Sequence, residues 1–253
     1  MRIAPEGWPV LIPLLIGCAV MASLAAWLTP GWAAAPIVML MLALAAWGLW
    51  FFRDPLRTPP HAPPGHDLII SPADGRVIRI DRAPLPPELR GPATAEGASP
   101  LPRQRIAIFL NLFNVHVNRV PARGRIVRLA YVPGSFVNAS FDKASTDNER
   151  SLALMIDPAG REIAFVQIAG LVARRIVNHL REGQEVALAE RFGLIRFGSR
   201  AEVYLPEGAE CRVRVGDRVS AGESILALMP AAVPTDPRTH EPALAGAPAG
   251  AAP

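Results

Sequence analysis

Lysine is nearly absent from this sequence of 253 residues. Lys143 is the only one, and arginine supplies the rest of the 26 basic residues, which exceed the 22 acidic residues by a net charge of +4. Aromatic residues are also few, at 6% of the chain, and they do not alternate with clustered basic residues. A nucleic-acid partner is therefore not expected, whereas a basic surface would suit an anionic lipid bilayer.

Cysteine is scarce too. Cys18 lies in a hydrophobic segment and Cys211 in a strand-like segment. Two residues so far apart form neither a disulfide framework nor the ligand spacing of a metal site. We expect two buried thiols in a reducing compartment and no bound metal.

Long apolar runs, in contrast, dominate the N-terminus. Residues 8–28 and 33–52 are each about as long as a helix that crosses a bilayer, and tryptophans lie near their ends, where an indole prefers the interface. Arg2 precedes the pair, and Arg53 and Arg57 follow it. The positive-inside rule then predicts a membrane hairpin over residues 1–53, with the rest of the chain on the cytoplasmic side of the cell membrane.

After a proline-rich linker over residues 54–67, the pattern becomes that of a β domain over residues 68–230. Short apolar or alternating runs bounded by Gly, Pro and Asp predict strands. These runs cover residues 68–70, 77–80, 105–110, 115–120, 125–132, 152–156, 163–168, 192–195 and 201–205. Residues 82–103 are dense in Pro, Ala and Gly and predict a mobile excursion, and the composition of residues 231–253 predicts a disordered tail.

The distal half contains a degenerate internal repeat, in which residues 182–192 and 215–225 match at a shift of 33. The repeat resembles the strand pairs of biotinyl and lipoyl domains, and it favours a mainly β domain of the barrel-sandwich-hybrid type. A biotin or lipoyl carrier would need a lysine at the tip of a hairpin. Lys143 lies outside both copies, so a carrier function is excluded.

The connection between the two copies carries the dipeptide Gly198-Ser199. A strained corner there would bring the hydroxyl of Ser199 to the carbonyl of Gly198. Attack on that carbonyl would shift the peptide bond to an ester, and elimination would then leave a pyruvoyl group at a new N-terminus. The dipeptide alone favours a simple Gly-Ser turn, since such turns are common.

Self-cleavage by serine needs a base, and the base needs an orienting group. His116 is the best-placed histidine, because it lies in an alternating strand and shares a face with Asn118. Asp74, in the turn Pro72-Ala-Asp-Gly75, is the candidate for the orienting group. Ordinary structural roles remain open for both residues.

Four motifs in order resemble the short, membrane-associated form of prokaryotic phosphatidylserine decarboxylase. They are SPADGRV from Ser71, FLNLFNVHVNRVP from Phe109, PGSFVNASFDKASTDNER from Pro133 and FGSRAEVYLP from Phe197. The resemblance implies a proenzyme cleaved between Gly198 and Ser199 into a β chain (1–198) and an α chain (199–253) that stay together. It also implies the catalytic set Ser199, His116 and Asp74.

The same resemblance implies the reaction. Phosphatidylserine in the membrane would form a Schiff base with the pyruvoyl cofactor made from Ser199, and CO2 and phosphatidylethanolamine would be released. Some relatives carry a second histidine where this chain has Arg119, which leaves open how maturation and turnover share His116. Homo-oligomer formation is also left open.

The motif that begins at Pro133 is too long and too apolar for a plain solvent loop. Gly134 and Ser135 could offer backbone N–H groups to a phosphodiester, Phe136 could face acyl chains, and Lys143 could supply a cation.

Two alternatives to the decarboxylase are a membrane-tethered serine hydrolase that uses Ser199, His116 and Asp74, and a non-catalytic β sandwich. Because the motifs all lie after residue 70 and the hairpin adds no residue to them, removal of residues 1–52 is expected to leave a domain that still cleaves itself.

Overall fold

The computed structural model describes residues 2–90, 101–134, 147–170, 176–196 and 199–231. Two helices, α1 (Trp8–Leu28) and α2 (Gly31–Phe51), come first and are preceded by a 3-10 turn at Pro5–Gly7. A second 3-10 turn covers Pro87–Leu89. The strands are β1 (Arg2–Ile3), β2 (Arg53–Asp54), β3 (His66–Ile70), β4 (Gly75–Ala83), β5 (Arg103–Leu110), β6 (Val117–Arg119), β7 (Gly124–Val132), β8 (Arg150–Ile156), β9 (Glu162–Ile168), β10 (Ile176–Asn178), β11 (Glu185–Val186), β12 (Arg191–Ile195), β13 (Ser199–Tyr204), β14 (Glu210–Cys211), β15 (Arg218–Val219) and β16 (Ile225–Pro230).

The two helices pack as an antiparallel hairpin. They approach closely at Gly48, where an added Cβ would lie 2.7 Å from the side chain of Leu14. Each helix is long and apolar enough to cross a membrane, and most of its surface is not covered by the rest of the protein. Strands β1 and β2 pair antiparallel and close the base of the hairpin. The predicted helical hairpin is confirmed.

An eight-stranded antiparallel sheet in the order β11-β7-β8-β9-β13-β5-β4-β15 forms the body of the domain. It curls like half a barrel, and three-stranded sheets β10-β12-β6 and β14-β16-β3 complete the domain. Alternate residues of the central strands, such as Ile106, Ile108, Ala201 and Val203, face the main hydrophobic core. The prediction of a mainly β domain is confirmed.

The repeat occupies equivalent places in the sheet. Val186 of β11 pairs with Gly124 of β7, and Val219 of β15 pairs with Gly75 of β4. The longer strands β4 and β7 also match each other, since each starts at its glycine and is interrupted by a bulge after its third or fourth residue. The repeat therefore extends to residues 72–77 (PADGRV) and 121–126 (PARGRI), where Asp74 corresponds to Arg123.

The excursion predicted from residue 82 onwards is wrong for its first part. Strand β4 continues to Ala83, and the segment that follows returns to the sheet. Leu85 and Leu89 are buried at 7% and 1% exposure against a second apolar cluster with Leu152, on the opposite face from the main core. Apolar burial compensates for the low helix and strand propensity of this proline-rich stretch.

Candidate active site

Ser199 begins strand β13, which lies between β5 and β9 in the middle of the large sheet. Ser199 pairs with Leu110 of β5, and the next residue, Arg200, pairs with Ile168 of β9. The side chain is fully buried, and its hydroxyl has no hydrogen-bond partner among the described residues. Gly198 lies outside the described residues.

The backbone of His116 lies close to the same end of the sheet. Its carbonyl oxygen accepts a hydrogen bond from the amide of Ile195, 3.2 Å away. Ile195 in turn packs against Ala169, which directly follows Ile168 on β9. Since Ile168 is also opposite Arg200, the small sheet places His116 over the end of the large sheet where Ser199 lies.

The imidazole of His116 is fully buried and has one hydrogen bond. Its Nδ1 lies 3.0 Å from the carbonyl oxygen of Asn114, and one face of the ring lies against Phe51. A carbonyl oxygen only accepts, so Nδ1 carries the proton, and the lone pair of the neutral ring is on Nε2. Within the described part of the chain, Nε2 has no partner.

Burial lowers the pKa of His116 to about 4, although the bond to Asn114 opposes this shift and the charge of Arg53 adds to it. The ring is therefore neutral at physiological pH. A neutral imidazole with an unpaired Nε2 is able to accept a proton.

Amide side chains join the two layers near His116. Gln167 of β9 donates from Nε2 to the Oδ1 of Asn118, 2.9 Å away. The Nδ2 of Asn118 donates to the carbonyl of Pro72, 3.3 Å away. Asn118 of β6, two residues after His116, thus links the small sheet to the large sheet.

Asp74 is part of a different cluster. Its carboxylate accepts two hydrogen bonds from Arg57, at 2.8 and 3.0 Å, and one from the amide of Ala221, at 2.8 Å. Burial raises the pKa of Asp74 despite these partners. The structure shows no hydrogen bond between Asp74 and His116 among the described residues, and the carbonyl of Asn114 orients the imidazole instead.

The turn that carries Asp74 is nevertheless near Ser199. Arg76 of β4 and Arg200 of β13 both pair with Phe109 of β5, one from each side. Two strand spacings, or about 10 Å, therefore separate the backbones of these two strands at this end of the sheet. Gly75 is required here, because an added Cβ would lie 2.2 Å from the carbonyl oxygen of Phe109.

Arg119, at the position of the second histidine in some relatives, is bound elsewhere. Its guanidinium lies 2.7 Å from Asp54 and 3.2 Å from the carbonyl of Pro55, and it also contacts the carbonyl of Ala189. Arg119 thus holds the segment after the hairpin against the domain. These contacts favour a structural role for it over proton transfer.

The face of β13 opposite Ser199 carries buried charge. Arg200 and Glu202 are each 1% exposed and form an ion pair at 2.6 Å. Arg105 lies 3.5 Å from Glu202 and 2.6 Å from Asp81, which is nearer the surface. The network fixes the strand that starts with Ser199.

Of the four residues suggested for headgroup binding, only Gly134 lies among those described. It is crossed closely by residues 147–149, since an added Cβ would lie 2.5 Å from the carbonyl oxygen of Asp147. Ser135, Phe136 and Lys143 lie outside the described residues.

Sequence reasoning missed the part that the hairpin contributes. Phe51 contacts His116, and Phe51 and Phe52 are 0% and 2% exposed in a cluster with Val117 of the domain. The premise that the hairpin adds no residue to the site is therefore wrong. Arg53 and Arg57 were noticed only as markers of membrane orientation, and no local pattern links either one to the site.

Comparisons with known proteins agree with the four motifs. Residues 44–227 match the family model described as phosphatidylserine decarboxylase. The protein named phosphatidylserine decarboxylase proenzyme from Paramagnetospirillum magneticum is 47% identical to this chain, over 88% of this chain and 85% of its own length. The protein of the same name from Magnetococcus marinus is 45% identical, over 87% of this chain and 92% of its own length. One of the same name from Zymomonas mobilis is 46% identical over 88% of this chain and 85% of its own length.

Proposed function

This chain belongs to the phosphatidylserine decarboxylase family, and on that premise we propose that it converts phosphatidylserine to phosphatidylethanolamine and CO2. We further propose that it does so as a carboxy-lyase that depends on a pyruvoyl group made from Ser199. The substrate would be a lipid of the membrane that the hairpin enters. The arginines after the hairpin support a cytoplasmic position for the β domain.

One observation carries the proposal. The hydroxyl of Ser199 and the Nε2 of His116 are both buried, and neither has a hydrogen-bond partner among the described residues. Buried polar atoms in folded proteins are nearly always paired, so two unpaired ones at the same end of two packed sheets need an explanation. A reaction that uses both atoms supplies it.

In maturation, His116 would take the proton of the Ser199 hydroxyl through Nε2. The oxygen then attacks the carbonyl carbon of residue 198, and the C–N bond breaks as the ester forms. Loss of the Cα proton of residue 199 and cleavage of its Cβ–Oγ bond separate the chains. Water then replaces the nitrogen of residue 199, which leaves as ammonia.

The residues at this position fit the resulting group. Residue 199 is fully buried and is paired to Leu110 from one side, so its α-carbon stays in the same place after cleavage. The pyruvoyl group, once formed, supplies a carbonyl that withdraws the electron pair left by departing CO2. The neutral His116 can take a proton from the ammonium of the substrate and return it to the substrate α-carbon after CO2 has left.

Intact mass and CO2 release test the proposal together. The wild-type protein should give two chains, 1–198 and 199–253, with a carbonyl group at the start of the second, and should release CO2 from phosphatidylserine. Ser199→Ala should remain one chain without activity, while Ser151→Ala, which removes a buried hydroxyl from β8, two strands away from β13, should be cleaved normally. A wild-type protein that stays a single chain and hydrolyses an ester, without releasing CO2, would favour the serine hydrolase and overturn the proposal.

A further inference from the structure

Arg53 is a fixed cation at the end of the hairpin. Its Nη1 donates to the carbonyl of Trp50, 2.7 Å away, and its Nη2 to the carbonyl of Phe113, 2.9 Å away. The guanidinium carbon lies 4.1 Å from the centre of the Trp50 ring, a cation–π contact. Two of the five N–H groups are used in this way.

This cation is beside the reactive residues. Phe51, two residues before Arg53, lies against the ring of His116, and Phe113 is on the short loop that leads to His116. The charge of Arg53 adds to the lowering of the pKa of His116 that burial causes. The Arg53 side chain therefore lies at the end of the hairpin, in contact with the loop that leads to His116.

Arg53 also differs from its neighbours in forming no direct ion pair with an acidic side chain among the described residues. Arg57 is paired with Asp74, and Arg119 with Asp54. The charges of these two arginines are already compensated. The half-buried guanidinium of Arg53 feels the charge of Asp74 only at a distance, and its unused N–H groups suit a site where an anionic ligand binds.

We propose that Arg53 binds the phosphodiester of the lipid substrate, an inference that rests on the function proposed above. The phosphodiester lies between the reacting amino-acid end of the lipid and its acyl chains. Arg53 follows the end of the apolar helix α2 and contacts the loop that leads to His116, so a phosphodiester bound to it would have the apolar helix on the side of its acyl chains and the loop of His116 on the side of its amino-acid end. The planar guanidinium offers paired donors that suit two phosphate oxygens.

The carboxylate of the substrate is the other anion that Arg53 could bind. A cation held at that carboxylate would stabilise the substrate more than the transition state, because the negative charge moves off the carboxylate as CO2 departs. Such binding would slow the reaction. The phosphodiester keeps its charge throughout, so it is the anion that can be held without this cost.

The test compares Arg53→Gln with wild type on a soluble short-chain phosphatidylserine. We expect cleavage into two chains to be complete in both, and KM to rise roughly ten- to a hundredfold in the variant, the range for losing charge-assisted hydrogen bonds. Short-chain phosphatidylethanolamine, which keeps the phosphodiester and lacks the carboxylate, should lose inhibitory potency by the same factor. Arg53→Lys should give an intermediate KM, because the charge remains and the paired donors are lost.

Arg212→Gln is the matched control, since it removes an arginine that forms only an exposed ion pair with Glu210; its KM should equal that of wild type. An unchanged KM in Arg53→Gln would overturn the inference. A raised KM with unchanged inhibition by phosphatidylethanolamine would also overturn it and assign Arg53 to the carboxylate. If Arg53→Gln fails to mature, the KM of Arg53→Lys and its inhibition by short-chain phosphatidylethanolamine provide the same test. A wild-type protein that neither splits nor releases CO2 would instead refute the proposed function.

Discussion

The ring of Phe51 lies 4.2 Å from the imidazole of His116, measured between centroids. A residue at the last turn of an apolar helix thus forms part of the wall around a buried histidine. The contact keeps water from the imidazole, and burial is the main reason why the pKa of His116 is low. The site and the hairpin are therefore one structural unit.

Replacing Phe51 by a smaller residue should raise the pKa of His116. Phe51→Ala lets water reach the imidazole, so the pKa should move from about 4 toward the ordinary value of about 6.5. NMR titration of the His116 ring in the uncleaved Ser199→Ala protein measures this pKa. Phe51→Leu should raise the pKa by less. Trp27→Ala, at the exposed far end of the hairpin, should leave the titration unchanged; an unaltered pKa in Phe51→Ala would show that other groups exclude the water.

His116 should also make stability depend on pH. The unfolded chain binds a proton at this residue below about pH 6.5, whereas the folded chain does so only near pH 4. The free energy of unfolding should therefore fall as the pH is lowered through this window, by up to roughly 3 kcal/mol. In the Ser199→Ala background, adding His116→Gln should flatten the pH dependence of the thermal midpoint between these values. Equal slopes with and without His116 would contradict the burial argument.

His116 is expected to serve turnover more strictly than maturation. Proximity at Ser199 can partly replace a base in the acyl shift, whereas protonation of the substrate α-carbon needs a donor at one face. His116→Ala should mature slowly, and its mature fraction should turn over about 10²–10⁴-fold more slowly per pyruvoyl group. Carbonyl labelling and CO2 release from one preparation give that ratio. Wild-type turnover per labelled group would restrict His116 to cleavage.

Glu6 connects the start of the hairpin to the strand that leads to the cleavage site. Its carboxylate contacts His179 at 2.6 Å and forms an ion pair with Arg191 of β12, and its carbonyl accepts from Arg196 at 3.0 Å. Glu6→Gln removes the ion pair and should slow the appearance of the two chains, as followed by gel electrophoresis after synthesis. Glu207→Gln, on an exposed turn, is the control, and equal rates in both variants would mean that the docked N-terminus does not order this strand.

The buried pair of Arg200 and Glu202 should matter for folding. Glu202→Gln leaves the Arg200 guanidinium without its charge partner at 2.6 Å and should destabilise the uncleaved Ser199→Ala protein by about 3–5 kcal/mol. Removing both charges, as Arg200→Met with Glu202→Leu, should restore much of the loss. Denaturant unfolding of the single and double variants measures the difference. If the double variant is as unstable as Glu202→Gln, packing rather than unpaired charge is the cause.

Local pattern was enough to predict the long central strands of the large sheet and the hairpin. Alternation in β5, β9 and β13 and the length of the two apolar runs depend only on residues close in the chain. Ser199 and His116 stand out in the sequence because both lie in motifs. Contacts across long sequence separations could not be predicted. Arg57, for example, forms ion pairs with both Asp74 and Glu223, and the sequence around each of these residues gives no sign of the other two. The burial of Leu85 and Leu89 was missed because proline-rich composition resembles that of a free loop.

The position of β13 between β5 and β9 has a consequence for how the mature protein is assembled. Before cleavage, this strand is tethered to β12 and can pair with its neighbours as part of a single chain. After the proposed cleavage before Ser199, β13 would be the first strand of a separate polypeptide, which would also contain β14, β15 and β16 and would hold a central position in the large sheet. The two pieces cannot part without opening the core, but once parted they must find each other by diffusion, so recovery after complete unfolding becomes a second-order process that depends on concentration. The precursor folds as one molecule, and the mature protein retains a structure that it can regain only as two.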